Sequence, residues 1–169
     1  MTDDASQTLP ERPLPERSRI VQEHVRRAGL AAIVRELPDS ARTAAEAAAA
    51  LGCEIGAIGN SLVFVVDGSP LLVMTSGRHR VDPAVLAASL GASEVAMAPA
   101  ALVRETTGQA IGGVAPVGHP APVRTVVDRA LRDHDPLWTA GGTPHTVMPM
   151  TFDELIALTG AEVVDVAAD

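Results

Sequence analysis

Residues 61–76 constrain the fold more than any other stretch of the chain. SLVFVV at 61–66 and PLLVMTS at 70–76 are apolar and rich in β-branched residues, and DGS at 67–69 divides them. Short apolar runs of this kind read as buried strands, and an Asp-Gly between them reads as a hairpin turn. Any fold must bury both strands in an aliphatic core. The 169 residues include one tryptophan (Trp138), two phenylalanines (Phe64 and Phe152) and no tyrosine. A chain of this length forms one domain with room for a sizeable core.

The elements around the hairpin follow from local signals. Residues 1–17 hold three prolines and many charges, and read as a mobile N-terminal tail ahead of a domain at 18–169. Ser18 is placed to cap a helix through RIVQEHVRRAGL, and AAIVREL at 31–37 is a short strand candidate. Thr43 and Glu46 form a capping-box pattern ahead of an alanine-rich helix that Gly52 ends. Asp82-Pro83 and Pro99 open two more helices, with the strand EVAMA between them. PVRTVVDRALRDHD at 122–135 has Val123, Val126, Val127 and Leu131 on one helical face. PLWTAGG and HTVMPM are strands around a Gly-Gly-Thr-Pro turn, Thr151 caps FDELIALTG, and EVVDV closes the chain as a strand. Irregular alternation with hairpins predicts an α/β domain with a mixed sheet.

Composition excludes several kinds of chemistry. All thirteen basic residues are arginine, so no Schiff-base, phosphate-loop or general-base lysine exists. The net charge of −8 argues against non-specific phosphate binding and a DNA-binding role. The shortage of aromatics leaves little material for stacking bases on a sheet. Cys53 is the single cysteine, and the first residues are acidic and polar. Neither a secretory leader nor a membrane span is expected, which points to the cytoplasm.

Histidines stand at 24, 79, 119, 134 and 145, with no i, i+4 pair and no cysteine cluster, so no metal and no cofactor are expected. His24 and His134 lie in charged, helical surroundings and read as solvated. His119 and His145 follow glycine-rich loops and are the stronger candidates for a site, although loop histidines are commonly just surface groups. Ser61 precedes a strand, the wrong order for a nucleophile elbow. Cys53 reads as a small buried hydrophobe.

Two glycine loops remain. IGGVAPVGHP at 111–120 and TAGGTPH at 139–145 are both rich in backbone control. Gly112 and Gly113 lack Cβ and can bring N–H donors close to a ligand, and Pro116 fixes the return path. The two loops are either two walls of one pocket lined by backbone donors or two tight turns that serve the fold.

The ordered set CEIGAIGNSLVF, TSGRHRVD, Thr107-Gly108, GGVAPVGH, TAGGTPH and DELIALTGAEVVDV resembles the YbaK/prolyl-tRNA editing domain family, across about three quarters of the chain. The resemblance implies a compact α/β domain with a mixed, barrel-like β-sheet surrounded by helices. It implies a trans-acting deacylase that hydrolyses a small mischarged amino acid from tRNA without a metal. Its partners would be the aminoacyl-tRNA acceptor end, that of tRNA(Pro) in the first place, and an aminoacyl-tRNA synthetase. The family's G-x-x-x-P loop maps onto Gly112 to Pro116 beside the aminoacyl group, with the TAGG segment facing it.

On this reading Asn60 and Gly112 are the catalytic candidates. Ser61, Gly113, Val114, Pro116, Gly118, His119, Thr139, Gly141 and Gly142 are the substrate-binding ones. The vicinal ribose hydroxyl or the substrate's own side chain helps the chemistry, and the protein positions the ester and stabilises charge. One departure stands out. Family members carry a lysine just before the [ST]-L that opens the core strand, and here that position is Asn60. Asparagine offers hydrogen bonds without charge. The alternative reading is therefore a non-catalytic module that holds a ligand or partner on the same fold.

Overall fold

A computed structural model describes residues 13–168. The strands are β1 (Arg35–Glu36), β2 (Ile58–Val66), β3 (Ser69–Ser76), β4 (Val95–Met97), β5 (Thr125–Asp128), β6 (Leu137–Ala140), β7 (Thr146–Met150) and β8 (Glu162–Val164). The helices are α1 (Glu16–Arg27), α2 (Ala44–Leu51), α3 (Pro83–Leu90), α4 (Ala100–Thr107) and α5 (Phe152–Thr159). None of the described helices is long and apolar enough to cross a membrane.

The hairpin forms as its sequence demands. β2 and β3 pair antiparallel from Gly59↔Ser76 to Val66↔Ser69. Asp67 and Gly68 turn the chain with φ of 47° and 85°, the left-handed pair that a two-residue hairpin turn requires. Around this ladder the strand order is β1-β7-β6-β2-β3-β5-β8, with β4 also on β2. β2–β6, β3–β5 and β5–β8 run parallel, so the sheet is mixed, as expected. Among the described residues no ladder joins β1 to β8.

Both faces of the hairpin are covered. Val63, Leu72 and Met74 join a core with Val21 and Val25 of α1, Val103 of α4 and Leu155 of α5. Phe64, Val66, Leu71 and Val73 face the other way, against Leu86 of α3 and Val126. Alternate residues thus go to opposite sides and both sides are dry, which explains the near-continuous apolar runs.

Three expectations need correction. First, 122–135 is not a helix. Thr125–Asp128 is β5, followed by a 3-10 turn at Arg129–Asp133. β5 lies between two parallel neighbours with all four residues buried. Val126 and Val127 go to opposite cores, so the β-branched run outweighs the helical spacing. Second, Ser18 does not cap α1. The helix begins at Glu16, and Ser18 is fully buried, with its Oγ 3.0 Å from Thr146 Oγ1. Of the expected tail, residues 1–12 lie outside the described residues, and Glu16 and Arg17 belong to α1. Third, the capping box at Thr43 is half formed. Thr43 Oγ1 accepts from Glu46 N–H, but the Glu46 carboxylate accepts from Arg42 N–H, one residue ahead of the cap. The box at Thr151–Glu154 is complete.

Asp128 fastens the far end of the hairpin. Its carboxylate is 1% exposed and accepts from Ser76 N–H at 3.0 Å, Thr75 Oγ1–H at 3.3 Å and Ala130 N–H at 3.0 Å. His79 Nδ1 lies 2.7 Å from Oδ2. Much of TSGRHRVD therefore serves to anchor β3 on β5. Replacing Asp128 with Ala strands several buried donors and should cost about 3 kcal/mol. Urea denaturation of Asp128→Ala beside the unmodified protein measures this, and an unchanged midpoint would mean the carboxylate anchors nothing.

Candidate functional site

A small cleft opens beside α2, where β2 begins. Its floor is the start of β2, Ile58 to Ser61, beside Trp138, Thr139 and Ala140 of β6. Here β2 and β6 run parallel, with Gly59 opposite Thr139. One wall is the segment Ala41–Ala44 leading into α2, together with Ala47. The other includes Gly112, Val114, Thr146 and Val147.

Of the residues chosen from sequence, the fold brings Asn60, Ser61, Gly112, Val114 and Thr139 into this one cleft. Polar groups there are poorly satisfied. The Asn60 carboxamide is half-buried and has no hydrogen bond to a described residue. Thr139 is 1% exposed, and its Oγ1 likewise has no partner among the described residues. The backbone N–H groups of Gly112 and Val114 are also unpaired among the described residues. A buried polar group without a partner costs free energy, and a polar ligand in the cleft would relieve that cost at Thr139 Oγ1. Ser61 differs, since its Oγ–H reaches Met74 Sδ at 2.9 Å.

Gly113, Pro116, Gly118, His119, Gly141 and Gly142 are outside the cleft lining. The two glycine loops touch each other instead of facing each other across a gap. A Cβ on Gly113 would lie 2.5 Å from the Thr143 carbonyl carbon, and one on Gly141 would lie 2.7 Å from Val34 Cγ1. The N–H of Gly113 bonds Ala110 O and that of Gly141 bonds Thr146 O, so neither is available as a donor. Gly142, at φ 106°, packs on the Arg17 backbone. Pro116, Gly118 and His119 line a separate, shallower hollow with His24 and Thr159.

The other candidate residues sort by packing. Val34 is core, Ile33 is exposed, and Leu62 packs under α3, so of these and Val114 only Val114 shapes the cleft. His145 is exposed. The His134 side chain, expected in solvent, is 15% exposed, with its Nδ1 3.7 Å from Glu54. No histidine lines the cleft. Burial of His119 lowers its pKa below 6.5; its bond to Ala115 O opposes the shift, and nearby His24 adds to it.

Sequence reasoning missed Arg42, Trp138 and the α2 wall. Arg42 is the single charged residue in the lining among the described residues. Trp138 packs on the alanines of α2, with the Arg35 guanidinium 5.5 Å from its ring centroid. Only the singularity of the tryptophan could have drawn attention to it.

The aminoacyl-tRNA editing domain model matches residues 38–158, which span the hairpin, the cleft and both glycine loops. The chain belongs to the aminoacyl-tRNA editing domain family. It is 35% identical to the proline–tRNA ligase of Lysinibacillus sphaericus over 95 residues, 56% of this chain and 16% of that enzyme. It therefore spans less than a fifth of the length of that relative. It is 27% identical to the Bacillus subtilis protein YwhH over 138 residues, 80% of this chain and 87% of that one. A solved structure of a candidate trans-editing enzyme for prolyl tRNA synthetase superposes with a TM-score of 0.86 at 42% identity. That match covers 93% of this chain and all of the other.

Two predictions follow from this packing. Gly113→Ala drives a methyl into the Thr143–Pro144 backbone and should lower stability by about 2 kcal/mol. A thermal melt matching the unmodified protein would mean the loops do not abut. His119 binds its proton less readily folded than unfolded, so stability is greatest above pH 6.5 and falls as pH drops below it. The fall should be smaller in His119→Gln, as measured by urea midpoints at pH 8 and pH 5.5. Equal falls in the two proteins would contradict the assignment.

Proposed function

We propose that the protein is a trans-acting aminoacyl-tRNA deacylase of the prolyl-tRNA editing type, working in the cytoplasm on the acceptor end of tRNA(Pro). The observation that carries this is the meeting of Asn60, Gly112, Val114 and Thr139, with unpaired polar groups, in one cleft of an editing-domain fold. The similarity to proline–tRNA ligases and to a candidate trans-editing enzyme supports the choice of tRNA(Pro). A prolyl-tRNA synthetase is the partner whose errors such a protein would correct.

In the proposed reaction, water attacks the ester carbonyl carbon. The carbon–oxygen bond to the terminal ribose breaks, releasing the amino acid and leaving a hydroxyl on the tRNA. Charge grows on the carbonyl oxygen in the transition state. The N–H groups of Gly112 and Val114 and the Asn60 amide N–H, from residues that line the cleft, would be the donors that meet it. Asn60 thus does with a hydrogen bond what a lysine would do with charge. With no histidine in the lining, the proton moves through the vicinal ribose hydroxyl, and the protein's part is orientation. The small lining residues Ala41, Ala44, Ala47 and Ala140 suit a short amino-acid side chain.

Release of alanine and cysteine from mischarged tRNA(Pro), with Pro-tRNA(Pro) as control, tests the reading. Hydrolysis above background is expected for the mischarged species. Asn60→Ala and Gly112→Ala should each slow it by at least about tenfold. No release at high protein concentration would favour the binding-module reading, and unchanged rates in both variants would move the site elsewhere.

A further inference from the structure

We infer that Arg42 is the residue that grips the substrate's anionic backbone, holding the phosphodiester next to the esterified ribose, with Arg35 as a second, outer cation. This rests on the proposed tRNA substrate and names the group that holds it. The chain carries a net −8, yet among the described residues the cleft lining has no Asp or Glu and one charged residue, Arg42. The Arg42 side chain is exposed, and its guanidinium forms no ion pair or hydrogen bond among the described residues. Glu46, four residues on, has one carboxylate oxygen engaged by the Arg42 backbone N–H at 3.0 Å.

The stem of Arg42 is fixed while its head is free. Its Cα, Cβ and Cγ lie within 3.2–3.3 Å of where a Gly112 Cβ would be, so a side chain at 112 would push the arginine away. The neighbouring Ala41 N–H bonds Pro144 O at 2.7 Å, tying this segment to the second glycine loop. Arg42 also precedes Thr43, the cap of α2, and Thr43 and Ala44 line the cleft. The helix start adds partial positive charge on the same side. Thr139, 1% exposed and with an unpartnered Oγ1, lines the same cleft and independently marks it as a ligand site. Arg35 stacks on Trp138 and is paired in register with Val147, and Trp138 and Val147 are both lining residues. A guanidinium matches phosphate geometry better than any other side chain. Asn60, on the cleft floor, carries no charge, and the cation comes instead from the wall that leads into α2.

The test uses the full chain and two probes, the trinucleotide CpCpA and adenosine, which lacks phosphate. Binding is measured by calorimetry, with Trp138 fluorescence as a readout of the cleft, since it is the only tryptophan in the chain. CpCpA should bind more tightly than adenosine. Arg42→Ala should weaken CpCpA by about tenfold or more and leave adenosine unchanged. It should also flatten the dependence of log K on log salt by about 0.7 for each lost phosphate contact. Arg42→Lys should recover part of the affinity, and Arg35→Ala should give a smaller loss. In the deacylation assay Arg42→Ala should raise KM more than it lowers kcat. Unmodified protein that binds CpCpA no better than adenosine, or Arg42→Ala with an unaltered CpCpA Kd, overturns the inference. Absence of deacylation with phosphate-dependent binding intact would refute the catalytic reading alone and leave Arg42 standing.

Discussion

The start of β2 is the constraint on which both the core and the cleft depend. This strand pairs with β3 along almost its whole length, with β6 at Ile58 and Gly59, and with β4 from Phe64 to Val66. Its later residues bury Val63 and Phe64 on opposite faces. Its first residues, from Ile58 to Ser61, form the cleft floor. The free energy that buries the hairpin therefore also sets the position of Asn60. A polar side chain held on a central strand is placed more accurately than one on a loop.

The glycine loops support this floor from the side. Gly113 lets the 111–116 loop reach the Thr143–Pro144 backbone, and Gly141 lets β6 run on beneath Val34. The two readings that sequence left open, pocket walls or fold turns, are each true of different residues. Gly112 and Val114 line the cleft, while Gly113 and Gly141 are packing positions whose N–H groups are already bonded. Ser18 completes the arrangement from α1, where its hydroxyl meets Thr146 Oγ1, and Thr146 in turn bonds the Thr143 hydroxyl. A buried chain of hydroxyls thus joins the first helix to the cleft wall.

What was legible in the sequence is what local chemistry decides. Asp67-Gly68 turned where a left-handed pair was needed, Gly52, Gly108 and Gly160 ended helices in the left-handed conformation, and Thr151 capped α5 with a full box. The meeting of Asn60, Gly112 and Thr139 was legible through motif order. What failed depends on tertiary neighbours. Val123, Val126, Val127 and Leu131 satisfy a helical stripe as well as a strand, and only the slot between β3 and β8 decides between them. Ser18 is a good cap in isolation, but Thr146 gives its hydroxyl a buried partner. Arg42 carries no local mark at all. Its importance lies in which residues surround it, and these come from four separate segments of the chain.

The electrostatic design then has a simple logic. An acidic surface repels nucleic acid at distances up to a Debye length, about 8–10 Å in physiological salt. A protein of this charge gains little from random contact with tRNA backbones, which limits unproductive binding. A cleft with no carboxylate among its described lining residues and edged by Arg42 offers a place where a phosphate is not repelled. Short-range recognition there does not need a basic face, because a guanidinium within hydrogen-bonding distance is weakly screened by salt compared with the distant acids. The acidic chain and the single cation at the cleft act together. On the proposed reading, the first would suppress binding along the length of a tRNA and the second would favour the end that carries the ester and its neighbouring phosphate.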